Sequence, residues 1–338
     1  MNPDGMNADG LADPTVVVFR ATEADPPPGI EEAVPTAQLR FADDVSSLRR
    51  SIADADALFF YKASAADGRV GPLEEVWPDA ARLRWIQTAS DGVDLLLFPA
   101  LAASDVTITN ARGVFDDAIA EWAIGAMLAM TTGLDRSIVE QTRNRWDADR
   151  GTRRLAGQRL LVLGPGPIGR ATARRARDLG MSVTAVGRAP RPDDLFERVG
   201  GPGDLHAMLS DADVVFDALP LAPGTHHYVD AAAFAAMKPT ARFLNVGRGS
   251  TVDEAALIEA LRNGRLAGAA LDVFEREPLP AHSPLWSMPN VIVSPHICGD
   301  FEGWERASVE IFVDNLARFV RGEPLRNLVD TDLGFGVG

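Results

Sequence analysis

Gly164, Gly166 and Gly169 stand in LLVLGPGPIG, the run Leu160–Gly169. A G-x-G-x-x-G turn that leaves an apolar strand and opens a helix lets the backbone come close to a pyrophosphate. That anion then rests on the N–H groups at the helix start. Gly164, Gly166, Pro167, Ile168 and Gly169 are therefore candidate contacts to a dinucleotide. The next strand candidate, Ser182–Val186, runs into Gly187-Arg188-Ala189-Pro190-Arg191. An NAD site would place Asp or Glu there to accept from the ribose 2′-hydroxyl. This chain has no carboxylate at that point and two guanidiniums, whose forked donors suit a 2′-phosphate dianion. NADP(H) is thus expected over NAD(H), with NAD(H) possible, and an S-adenosylmethionine site is disfavoured. The plain alternative is a pair of solvated loop arginines, in a chain where only Lys62 and Lys238 among 33 cations are lysines.

Three further segments place reactive side chains where strands end. They read FLNVGRGS at Phe243–Ser250, GAALDVFEREPLP at Gly268–Pro280 and VIVSPHICG at Val291–Gly299. Ligands of open parallel sheets bind outside the carboxyl ends of the strands, so Arg248, Glu277 and His296 are placed to converge over the cofactor. Each alone would more often be a surface or structural residue. Their order behind a dinucleotide turn is harder to explain that way.

The elements that must carry these residues are legible as alternating strands and helices, an α/β pattern with parallel pairing. Thr15–Arg20, Ala57–Tyr61, Leu83–Thr88 and Val106–Asn110 are strand candidates separated by helical, Ala/Leu/Arg-rich segments, forming one small domain. A second set begins at Leu160–Leu163 and continues through Ser182–Val186, Val214–Ala218, Ala241–Val246, Leu266–Asp272 and Val291–Ser294, which fits one doubly wound sheet. Helices are expected over Phe115–Thr132, Arg170–Leu179 and Phe301–Arg321. The first is apolar on more than one face, as a buried core helix or a helix shared with a second subunit would be.

The length, 338 residues, suits two domains. A formal charge of −15 argues against nucleic acid or an anionic membrane as partner. No apolar run approaches a membrane span, and a cytoplasmic protein is expected. A single cysteine, Cys298, excludes an internal disulfide and a multi-Cys zinc site. His206, His226 and His227 lack a metal-ligand pattern and read as loop or surface histidines, so no metal is expected. Trp146, near Arg143 and Arg145, fits an interface or a substrate rim.

Taken with TASDGVDLLLFPAL at Thr88–Leu101, NARGVFDDAIAEW at Asn110–Trp122 and ALPLAPGT at Ala218–Thr225, these motifs resemble the D-2-hydroxyacid dehydrogenase family over nearly the whole chain. Arg248, Glu277 and His296 follow one another at separations of 29 and 19 residues, which suits that family. The resemblance implies a Rossmann coenzyme domain over residues 111–298. It also implies a smaller flavodoxin-like substrate domain from 15–110 and 299–330, a cleft between the two, and a flexible tail at 1–14.

It further implies that Arg248 clamps the carboxylate of a small 2-keto or 2-hydroxy acid and polarises its 2-oxygen. His296 exchanges the proton, while Glu277 orients the ring and raises its proton affinity. By the same resemblance, backbone amides near Asp91 and Gly92 help hold the carboxylate. Asp272 faces the nicotinamide amide, and Leu219, Pro220, Thr225, Val246 and Gly247 line the coenzyme. An acid rather than glutamine at Glu277 argues against formate as substrate. Cys298 is expected to line the site rather than react. The expected activity is reduction of glyoxylate, hydroxypyruvate or a longer-chain 2-keto acid by a homodimer, with the acid's identity set by loops such as Tyr61–Ala66. A nucleotide-sensing, corepressor-like interaction protein on the same scaffold is the alternative.

Overall fold

The computed structural model describes residues 13–20, 27–33, 37–62, 71–94, 96–148, 151–331 and 335–336. Residues 1–12 of the expected tail and 63–66 of the expected specificity loop lie outside the described residues. The chain divides into two compact units, Met1–Phe115 with Phe301–Gly338, and Asp116–Asp300.

The first unit is built on five parallel strands, β1 (Thr15–Arg20), β2 (Gln38–Ala42), β3 (Ala57–Lys62), β4 (Trp85–Thr88) and β5 (Thr107–Thr109), in the order β2-β1-β3-β4-β5. Side chains alternate across the sheet, so Val17, Phe19, Leu58 and Phe60 bury one face against Leu48 and Ile52 of the helix Val45–Ile52. Val16, Val18, Phe59 and Trp85 bury the other. That second face is covered by the helix Trp304–Arg321, whose Phe312 stacks on Phe59 at 4.4 Å and on Trp85 at 5.5 Å between ring centroids. Burying one such side chain is worth about 1.5–3 kcal/mol, and Val309, Phe312, Leu316 and Phe319 are all buried here.

A buried polar chain adds direction to this apolar contact. Asn315 Nδ2 donates to Gln87 Oε1 at 3.0 Å, and the Arg326 N–H donates to Asn315 Oδ1 at 2.8 Å. The helix starts at Trp304 rather than Phe301 because Gly303 takes a left-handed φ of +95°, and it ends where Gly322 does the same at +67°.

The second unit carries seven parallel strands: β6 (Arg159–Leu163), β7 (Ser182–Val186), β8 (Val199–Gly200), β9 (Val214–Asp217), β10 (Arg242–Asn245), β11 (Gly268–Leu271) and β12 (Val291–Val293). Their order is β12-β11-β10-β9-β6-β7-β8. From β6 the chain moves outward through β7 and β8, then returns to lay β9 on the opposite side of β6. In doubly wound sheets the crossover connections beside such a reversal leave to opposite faces, and the crevice between them lies at the carboxyl ends of the strands, here β6 and β9. The helix Asp116–Thr132 packs on the helix Pro167–Asp178, burying Ile119, Ala123, Ala126, Met127 and Met130, and Arg175 reaches back to Asp117 at 3.0 Å.

Four strands are not anticipated by the sequence reading, two of them the short antiparallel pair Val329–Asp330 and Phe335–Gly336. QLRFA at β2 lies at a sheet edge with only Ala42 buried, so it shows no apolar run, and β8 is two residues long.

Candidate active site

β6 ends in the glycine turn. Gly164 has φ of +90°, a region open to glycine, and its N–H donates to Val186 O at 3.0 Å. At Gly169 a Cβ would stand 2.3 Å from Gly164 O and 2.8 Å from Val162 Cγ1, so only glycine lets the helix close onto the strand. Gly166 caps the helix Pro167–Asp178 with extended backbone, no side chain caps the first turn, and a Cβ at Gly166 would meet nothing within 4 Å. Backbone donors with open space before them, at the positive end of a twelve-residue helix, suit a pyrophosphate. Pro167 and Ile168 form the first turn of that helix.

Beyond β7, Arg188 and Arg191 are exposed. The nearest acid in sequence, Asp193, is engaged by Arg170, and that hydrogen bond holds its carboxyl below the usual range. The donor chemistry at this strand end is cationic, which fits a phosphorylated ribose better than a bare diol.

The opposite wall comes from the loops after β9 and β10. Leu219 N donates to Asp217 Oδ1 at 2.9 Å. The Thr225 hydroxyl is turned into its own loop, donating to Pro220 O at 2.6 Å. Val246 N donates to Asp217 O at 3.0 Å and Gly247 N to Asn245 Oδ1 at 3.0 Å. The two loops touch at Gly247, where a Cβ would lie 2.3 Å from Leu219 O.

Arg248 follows in extended conformation and starts the short turn Gly249–Thr251, with Nη1 donating to Gly247 O at 2.8 Å. Gly249 is wedged against the next strand loop, and a Cβ there would fall 1.8 Å from the carbonyl carbon of Phe274. The Arg248 turn and the Phe274–Glu277 segment are thereby locked side by side.

Glu277 and His296 meet. Glu277 Oε2 lies 2.7 Å from His296 Nδ1, and Oε1 accepts from Phe274 N at 2.9 Å. Burial alone would raise the Glu277 carboxyl. The hydrogen bond and charge of His296, with the Phe274 N–H and the Arg248 guanidinium, outweigh it and hold the group below its ordinary value. His296 is a non-glycine residue at φ +57°, an uncommon conformation. Its N–H donates to Asp272 O at 2.9 Å, and its side chain is about half exposed, with Nδ1 committed to Glu277. In a ring held through Nδ1, Nε2 is the nitrogen able to exchange a proton with a bound group.

Asp272 is fully buried and anchors the His296 segment. Its carboxylate accepts from Ile297 N at 3.0 Å, from Cys298 N at 3.1 Å and from the Ser294 hydroxyl. Cys298 is buried, and burial with the neighbouring Asp272 charge pushes its thiol up, away from the nucleophilic thiolate.

Asp91 and Gly92 belong to the first unit. Their carbonyls are taken up by Asn110 Nδ2, at 2.7 Å, and Ser90 Oγ, at 2.8 Å, which set the loop after β4. His227 bonds Glu275 through Nε2 at 2.8 Å with His226 stacked on it, and no metal-holding cluster occurs among the described residues.

Sequence reasoning passed over four residues that hold this arrangement: Asp217, Asn245, Thr251 and Ser294. A signal was present for Asp217, a carboxylate closing the apolar run VVFD of a central strand, where an acid needs a reason to be.

A family profile described as D-isomer specific 2-hydroxyacid dehydrogenase, NAD binding domain, matches residues 124–298. The chain is 33% identical over 302 residues to a glyoxylate reductase of Thermofilum pendens, covering 85% of this chain and 84% of that protein. A solved D-isomer specific 2-hydroxyacid dehydrogenase family protein from Aeromonas salmonicida matches with a TM-score of 0.81 at 33% identity, over 95% of this chain and 100% of that one. An NADPH-dependent glyoxylate/hydroxypyruvate reductase from Sinorhizobium meliloti, solved with NADP and sulfate, matches with a TM-score of 0.81 at 27% identity, over 96% and 100% of the two chains.

Proposed function

The chain belongs to the D-isomer specific 2-hydroxyacid dehydrogenase family, and from that premise we propose that it reduces a small 2-keto acid to the D-2-hydroxy acid with NADPH and catalyses the reverse oxidation. The observation that carries this reading is the Glu277–His296 pair at 2.7 Å, set beside the Arg248 turn at the carboxyl ends of neighbouring strands. Nicotinamide, when bound, supplies or accepts the hydride.

The chain's own residues do the rest. Arg248 holds the substrate carboxylate and draws charge onto the 2-oxygen, with backbone amides near Asp91 and Gly92 assisting. His296 Nε2 gives the proton to that oxygen in reduction and takes it in oxidation. Glu277 keeps the ring in one tautomer and stabilises its charged form. The coenzyme is held by Gly164, Gly166, Pro167, Ile168 and Gly169 at the pyrophosphate and by Leu219, Pro220, Thr225, Val246 and Gly247 along its length. Asp272, expected at the amide, has no exposed surface and serves the site by pinning the His296 segment. Arg188 and Arg191 hold the 2′-phosphate, which selects NADPH.

The test is a panel of glyoxylate, hydroxypyruvate and longer 2-keto acids, run with NADPH and NADH on the wild type and on the double variant R188A/R191A. Turnover is expected with at least one short acid. The double variant should raise KM for NADPH by ~10²-fold and leave that for NADH within about threefold, since two charge-assisted contacts are lost from the phosphate alone. Silence across the panel would favour the nucleotide-sensing reading, and equal losses for both coenzymes would remove the phosphate assignment.

The same reading extends to a homodimer built on Asp116–Thr132 and the adjoining helix Leu134–Thr142. Leu128, Leu134, Ile138 and Val139 stay exposed there, and Trp146 beyond them is 96% exposed. Exposed apolar side chains on two successive helices and the segment after them support burial by a partner. Light scattering at micromolar concentration should give the mass of two chains, and a single-chain mass would refute the dimer.

A further inference from the structure

Asp217 closes β9 beside the reversal in the second sheet and has no exposed surface. Its neighbours in register are Leu163 of β6 and Asn245 of β10, neither of which titrates. Oδ1 accepts from Leu219 N at 2.9 Å, and Oδ2 lies 2.7 Å from Thr251 Oγ1. Thr251 Oγ1 lies equally close, 2.7 Å, to the carbonyl oxygen of Arg248.

A hydroxyl has one hydrogen to donate. If Asp217 is ionised, its carboxylate and the Arg248 carbonyl compete for that hydrogen, and one of two short oxygen–oxygen contacts has no proton in it. If Asp217 is protonated, the count closes. Its own O–H donates to Thr251 Oγ1, and the Thr251 hydroxyl donates to Arg248 O. No cation pairs with Asp217 among the described residues, so no opposite charge offsets a buried negative one there. Burial pushes the carboxyl up to about 7, against the lowering effect of the Leu219 N–H and the Thr251 hydroxyl. The titratable and charged groups around it are Tyr228, whose hydroxyl is raised by burial and then by Asp217, and Arg248, reached through Thr251.

We propose that Asp217 is a proton-bearing positioning residue whose carboxylic acid, through Thr251, fixes the backbone of Arg248 and so aims its guanidinium, and that loss of this proton loosens substrate binding as pH rises. The inference rests on the reading of Arg248 as the substrate clamp. The same carboxyl holds Leu219, whose carbonyl abuts Gly247, so one acid braces both loops that wall the crevice.

The test compares the wild type with D217N, T251V and T251S. Asparagine keeps the shape, donates to Thr251 and accepts from Leu219, but carries no titrating proton. Between about pH 6 and about pH 8.5 the wild-type KM for glyoxylate should rise ~5-fold, the worth of one hydrogen bond, while that of D217N varies less than ~2-fold. T251V should show a raised, pH-independent KM, and T251S should restore the wild-type slope.

Melting temperatures provide an arm that needs no turnover. The native state keeps a proton that the unfolded chain releases near ~3.9, so the wild type loses stability as pH climbs toward the native value and D217N does not. The melting temperature of D217N minus that of the wild type should therefore grow from about pH 5 to about pH 8. Parallel melting curves, or a wild-type KM slope that survives in D217N, would overturn the proposal. An enzyme inactive on every acid would sink the reading of its function instead, and the melting comparison would then decide the proton.

Discussion

Replacing His296 with Ala lowers turnover by ~10²–10⁴, the usual contribution of a positioned general acid, while coenzyme binding is unchanged. The size follows from how completely the ring is prepared. Glu277 takes Nδ1 at 2.7 Å, and its own carboxyl is held below the ordinary range, so it stays ionised and able to orient the ring well into acid. The ring's backbone is pinned in a left-handed conformation by Asp272, through its own carbonyl and through the two amides that follow. Removing the imidazole removes the proton and leaves this scaffold standing, because none of the anchoring bonds uses the side chain except the one to Glu277. Steady-state rates in both directions, with coenzyme affinity followed by fluorescence, check this. A variant within threefold of wild-type turnover would exclude His296 as the acid.

Arg248→Lys should cost ~10²–10⁴ in kcat/KM for the keto acid, most of it in KM, with the fold unaltered. Lysine preserves the charge but loses the planar fork. One guanidinium nitrogen already spends a donor on Gly247 O at 2.8 Å, and the paired geometry a carboxylate wants needs the others. The backbone turn should survive the exchange, since Gly249 packed against Phe274 and Asn245 Nδ2 bonded to the Arg248 carbonyl at 3.2 Å do not involve the side chain. Kinetics on the panel, beside thermal melts of both proteins, separate binding from folding. A loss below threefold with intact melting would show that the substrate carboxylate is held elsewhere.

Much of the second unit was legible because its central strands are short apolar runs ending in glycine-bearing segments, and parallel topology decides which ends face the same way. Glu277 and His296 could be assigned to such ends from LDVFEREP and SPHICG. Their contact could not be measured there, because it depends on β11 and β12 lying side by side. The edge strand β2 escaped since its alternation places Gln38 and Arg40 among residues that are only half covered. Asp217 and Thr251 escaped for another reason. They are 34 positions apart and become a pair only when β9 and β10 align, so no local spacing announces them. The spacing of Gly164, Gly166 and Gly169 reads as a turn for phosphate from sequence alone. That Gly247 and Gly249 are forced by passing backbones was invisible without neighbours.

The helix Trp304–Arg321 stacks Phe312 on Phe59 and Trp85, so the first sheet is finished by residues translated more than two hundred positions later. The Asp116–Asp300 unit interrupts nothing of itself and is whole once its own stretch has left the ribosome. Synthesis therefore meets the two units in inverted order. The one begun first must wait, with Val16, Val18 and Trp85 uncovered, until the last helix emerges, and nascent chains stalled shortly before it would present that bare sheet to chaperones.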